Sequence, residues 1–239
     1  MQTTQEPALY RLATTMHSVP ALLLLAPIFV MSFVLLESVE ASSLLRQFPL
    51  RFCGKIICFI AVSCIASTLL VALALLFPAA ISLVRNGVGD PLYPVVFIQG
   101  NQLVETTVAK VAVSGLALYA LNALCISSFA AAVFMLAHKA LPAVFAAVLL
   151  SLLPMVPQYF AETFPLRDLF WALPTTYFDI PAVVGFPSCL RYEDILPVAG
   201  ANAMTGCVVL LACSALFAAF AGGLAYAIGD RVRQGGHHA

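Results

Sequence analysis

The chain has 239 residues, 62% of them hydrophobic and only 9% charged, with 11 basic and 11 acidic side chains that cancel to zero net charge. A soluble domain carries about 25% charged residues; a chain this poor in charge cannot cover a water-facing surface, and its mean hydropathy of +1.02 makes lipid its main solvent. Zero net charge without a basic tract excludes the electrostatic footprint of a nucleic-acid partner, and the sequence holds no glycine-rich phosphate loop and no zinc-type Cys/His spacing.

A helix needs about 20 apolar residues to cross the hydrocarbon. The first fifteen residues are polar and contain one arginine, Arg11. The apolar run after them is too long for a signal-peptide core and has no clear small-residue cleavage site, so residues 16–38 are read as the first span. A polar connection with Glu37, Glu40, Arg46, Arg51 and Lys55 leads to the second span, 54–84. That run exceeds the minimum, so it tilts or extends beyond the bilayer, and Pro78 is placed to kink its far end. A loop dense in turn residues follows, with Asn86, Gly87, Gly89, Asp90, Pro91 and Pro94. The third span is expected at 105–137. A tight connection at His138, Lys139 and Pro142 opens the fourth, 141–157, which is closed by Pro154 and Pro157.

Residues 158–198 form the most polar part of the chain and contain its only tryptophan, Trp171. Aromatic side chains mixed with charge suit the bilayer interface, so an external loop with short interfacial or re-entrant helices is expected there. The last span covers 200–229 and ends at Asp230, Arg231 and Arg233. The fold class is therefore all-α: one polytopic membrane helix bundle over residues 1–239, with five to six transmembrane helices.

Orientation follows from Lys and Arg in short loops. Arg46, Arg51, Lys55, Lys139, Arg231 and Arg233 fall on one side of a five-span bundle; Arg11, Arg85, Lys110, Arg167 and Arg191 fall on the other. Arg167 and Arg191 lie in a long loop, which counts for little, so the first group is placed in the cytoplasm. Five spans then put the N-terminus outside, and the expected location is the cytoplasmic membrane, multi-pass.

Polar groups inside a span are costly in lipid and draw attention. Asn122, Ser127 and Ser128 lie deep in the third span and are candidates to line a pathway, although interhelical hydrogen bonding is the commoner use of such residues. Lys110, near the start of that span, suits an interfacial lysine that snorkels. Gly222, Gly223 and Gly229 lie among Ala218, Ala219, Ala221 and Ala225, a stretch that favours close helix packing within the subunit or across a dimer. The seven cysteines mostly lie in apolar runs and read as small buried hydrophobes; Cys189 alone sits in a polar loop.

The connection between the first two spans carries the most information. Glu37 and Glu40 leave one helix; Leu44 and Leu45 follow, then Pro49, Arg51 and Gly54-Lys55 at the start of the next helix. Pro49 disfavours helix at Phe48, and Arg51 and Lys55 stand four apart on one helical face. Physics alone makes this a positive-inside anchor or a cationic knob for a partner. The segment resembles the cytoplasmic connection of ABC-2 type transporter permeases, in which an acidic residue, leucines, a proline with a basic position and a Gly-Lys pair occur in that order. The resemblance extends to the helix pair joined at His138-Lys139 and to Leu173-Pro174-Thr175-Thr176-Tyr177-Phe178 before the last span. It covers Val19 to Arg233 with loose motifs. Aligned on Pro49 and Lys55, the chain starts at the family's second span, so the family's first helix is missing or supplied by a partner.

What the resemblance implies is the membrane subunit of an ABC exporter, with no catalytic residue, metal or cofactor of its own. ATP would be bound by a separate ABC ATPase subunit that docks on Glu37, Glu40, Pro49, Arg51 and Lys55. A second permease chain, identical or not, would complete a pathway at Asn122, Ser127 and Ser128. Competing classes are a secondary carrier and a non-transporting scaffold. An intramembrane enzyme is less well supported, because no pair of catalytic groups meets inside a span. The sequence names no substrate.

Overall fold

The computed structural model describes residues 6–16, 19, 22–39, 52–99, 102–152, 171–184 and 201–235. In chain order the elements are α1 (Ala8–Thr15), α2 (Leu22–Val39), α3 (Phe52–Asn86), strands β1 (Pro94–Gln99) and β2 (Gln102–Thr107), α4 (Val108–Ala137) and α5 (Ala140–Leu152). A 3-10 turn (Pro174–Tyr177), α6 (Ile180–Val184) and α7 (Ala203–Gly235) complete them. Among the described residues, three helices are long and apolar enough to cross a membrane: α3 with 35 residues, α4 with 30 and α7 with 33. At about 1.5 Å rise per residue each exceeds the ~30 Å hydrocarbon core. α2 and α5 are apolar but shorter, with 18 and 13 residues.

The helix ends differ from the expected span bounds at several places, and a pair of strands stands beside the helices. Residues Ala8–Thr15 form a separate helix, and α2 starts at Leu22. Glu105, Thr106 and Thr107, at the start of the expected third span, belong to β2. The Thr107 hydroxyl accepts from the Lys110 N–H at 3.3 Å, so the helix is capped there and begins at Val108. β1 and β2 pair antiparallel, with Pro94 opposite Thr107 and Gln99 opposite Gln102.

α4 is the centre of the bundle and packs against α1, α2, α3, α5, α6 and α7. Its far end turns tightly. His138 adopts the left-handed region (φ 51°), and its N–H donates to the Phe134 carbonyl at 2.8 Å. Pro142 then falls in the first turn of α5, where its missing N–H costs nothing.

Two apolar clusters mark the two ends of the molecule. One gathers Leu12, Met16, Leu75, Leu118, Tyr177 and Ile180, at the end that carries the hairpin. The other gathers Ile28, Phe59, Ile126, Phe134, Ala147 and Ala221, at the end that carries the α4–α5 turn. The clusters meet at the level of Ser63 and Ser67 on α3, Asn122 to Ser128 on α4 and Ser214 on α7.

At the hairpin end, α1 is bound to the loop after α3. The N–H groups of Ala8 and Leu9, which have no partner inside their own helix, donate to the carbonyls of Gly87 and Val88 at 3.1 and 3.2 Å. The Ser82 hydroxyl and the Asn86 amide both donate to the Glu6 carbonyl. Gly89 (φ +83°) lies under Pro7, and a Cβ there would sit 2.5 Å from the proline ring, so both backbone conformation and space require glycine.

Candidate functional site

The three pathway candidates on α4 are all buried, and their surroundings differ. The Ser127 hydroxyl donates to the Ala123 carbonyl one turn back at 2.6 Å and is satisfied within its own helix. The Asn122 amide nitrogen donates to the Tyr177 carbonyl at 3.1 Å, while its Oδ1 has no partner. The Ser128 hydroxyl has none either, and Ser63 on α3 is in the same position. A buried polar atom left unpaired costs about 1–3 kcal/mol, and lipid offers no remedy. Ser63 and Ser128 carry no strong sequence signal; serine in a membrane helix ordinarily bonds its own turn, as Ser32, Ser127 and Ser214 do here.

The interior is polar without being charged. Among the described residues every buried polar side chain is Ser, Thr or Asn. Lys110 is exposed in the first turn of α4. No group of three His, Cys, Asp or Glu side chains suited to a metal is found among the described residues, and the six described cysteines are free thiols, Cys125 fully buried and Cys58 exposed.

Asn122 meets a segment that the sequence placed in an external loop. Trp171 to Val184 runs in against α4 and α7, with the Tyr177 side chain 0% exposed and Ile180 equally enclosed. The Tyr177 hydroxyl donates to the Trp171 carbonyl at 2.6 Å. Burial pushes this phenol above its ordinary range, and a hydrogen bond with Thr205 pulls it part of the way back. Two glycines open the space. A Cβ on Gly206 of α7 would lie 2.6 Å from the Tyr177 ring, and one on Gly115 of α4 would lie 2.5 Å from the Met16 sulfur. Tyr119 closes the α1 side by donating its hydroxyl to the Met16 carbonyl at 2.8 Å.

At the opposite end, Glu37 is exposed near the end of α2 and Lys55 is half-buried in the first turn of α3. Glu40, Pro49 and Arg51, the other members of the expected docking segment, lie outside the described residues. The Cys53 thiol donates weakly to the Gly222 carbonyl at 3.9 Å, so the start of α3 adjoins the second half of α7. Lys55, the His138-Lys139 turn and the distal half of α7 therefore share one end of the bundle. α1, the hairpin and Trp171–Val184 share the other.

No protein-family description, curated protein or solved structure matches the chain.

Proposed function

We propose that the chain is the membrane subunit of an ABC-type exporter of the cytoplasmic membrane, crossing it several times and driven by a separate ATPase subunit. The observation that carries the reading is the sidedness of the bundle. Lys55, Lys139 and the distal half of α7 gather at one end, where the connection with Glu37, Glu40, Pro49, Arg51 and Lys55 would meet the ATPase. The interior between the ends offers neutral hydrogen-bonding groups on its most enclosed helix, Asn122 and Ser128 foremost. A second chain would complete the pathway. Its place is suggested by Gly222 and Gly223 on α7, where a Cβ would meet nothing within 4 Å.

Purification from native membranes in mild detergent, with native mass spectrometry, tests the reading. The expected complex holds two membrane chains and two ATP-binding subunits, and it hydrolyses ATP. The double replacement Arg51→Glu and Lys55→Glu should release the ATP-binding subunits while both membrane chains still insert; orientation is checked in the same variant, because removing positive charge can invert a helix. A single chain that moves solute down an ion gradient without ATP would make it a carrier instead.

A further inference from the structure

We propose that Trp171–Val184 is a plug, seated between α4 and α7 at the hairpin end and withdrawn when the pathway opens. The proposal rests on the transport reading above and assigns its closing element.

Three features distinguish a seated plug from a fixed wall. The segment enters the bundle as a 3-10 turn and a five-residue helix, and among the described residues neither is joined to a sheet or continuous with a spanning helix. Its anchors, Tyr177 and Ile180, are apolar bodies fitted at glycines: Tyr177 against Gly206, with a would-be Cβ 2.6 Å from the ring, and Ile180 near Gly115, with its Cγ2 3.8 Å from one. Knob-and-notch contacts of this kind separate without breaking a ladder of hydrogen bonds. The polar contact beneath the anchors is also incomplete. Asn122 is 1% exposed, gives its N–H to the Tyr177 carbonyl and leaves Oδ1 unpaired. An unpaired acceptor in so enclosed a place raises the energy of the seated state. Once the segment withdraws, both ends of the amide face the passage, where a neutral molecule bearing a hydrogen-bond donor satisfies the oxygen. The Asn122 N–H thus holds the closed state, while its unpaired oxygen favours release.

The test uses the full chain in a background lacking its native cysteines, with Thr176→Cys on the plug and, separately, Ala130→Cys in the opposite cluster. Both positions are buried, at 2% and 0% exposure. A water-soluble maleimide should label each slowly. Gly206→Ala forces a methyl against the Tyr177 ring, and labelling at position 176 should rise about tenfold or more. Ile180→Ala empties the second notch, and labelling at 176 should rise about threefold to tenfold. Position 130 should stay protected in both. Labelling at 176 that is unchanged in both variants, or that rises only together with labelling at 130, overturns the plug and makes the segment a fixed wall. The labelling needs neither substrate nor ATPase. A plug that opens in a chain that moves no solute therefore keeps this inference and removes the transport reading.

Discussion

α4 and α7 are long apolar helices of similar composition, packed against each other, and they live in different surroundings. In the most apolar stretch of α4, 61% of residues are buried; in that of α7, 17% are. α4 touches neighbours on nearly every face and keeps Asn122, Ser127 and Ser128 away from lipid. α7 turns Met204, Val208, Leu216 and Phe220 outward. In water such a face would signal aggregation or a partner, but in a bilayer it is the ordinary lipid-facing surface. The difference teaches that apolarity decides whether a helix enters the membrane, and position in the bundle decides what the helix can hold there.

The comparison breaks first at large aromatic side chains. Phe134 on α4 is 1% exposed and Phe220 on α7 is 50% exposed. Phe134→Ala leaves a void whose lining loses its contacts and should destabilise the fold by about 3 kcal/mol or more. Phe220→Ala leaves space that lipid fills and should cost no more than about 0.5 kcal/mol. Reversible unfolding in mixed micelles measures both; equal losses would mean that α7 is covered within the subunit.

A smaller effect comes from adding volume. Ala131→Leu on α4, at a site 0% exposed, should cost about 1–3 kcal/mol through overpacking. Ala219→Leu, at an exposed site on α7, should be nearly neutral in the same measurement.

The smallest effect separates folding from assembly. Gly223→Ala meets no neighbour and should stabilise α7 by at most about 1 kcal/mol through helix propensity. If the second membrane chain closes on this face, the same methyl should lower the dimer fraction in native mass spectrometry while the unfolding midpoint rises. A higher midpoint with an unchanged dimer fraction places the partner on another face.

The sequence made α3, α4 and α7 legible because each is a long charge-poor run, and it made the α4–α5 turn legible through His138, Lys139 and Pro142. It did not separate α4 from α7, because a helix apolar on all sides has no periodicity to say which face is inside. The hairpin did leave a signal: Val95 to Gln99 and Gln102 to Thr107 flank the dipeptide Gly100-Asn101, residue types that favour a tight turn between strands. That signal is hidden by its position, between a turn-rich loop and the apolar run of α4. α1 is eight residues long and stands on carbonyls of Gly87 and Val88, about eighty positions away, which no local pattern reveals. Asn122 was visible as a polar residue at depth. Its partner, the Tyr177 carbonyl, lies 55 positions further along the chain, and only the fold brings the two together.

Trp171 is the chain's only tryptophan, and its carbonyl holds the Tyr177 hydroxyl at the mouth of the bundle. Ultraviolet emission excited at the red edge of protein absorbance therefore comes from one address. Its colour and lifetime record what the indole touches, without a dye, a mutation or a background to subtract. In a rapid-mixing instrument, that signal would time any movement of one fourteen-residue segment in the unaltered protein.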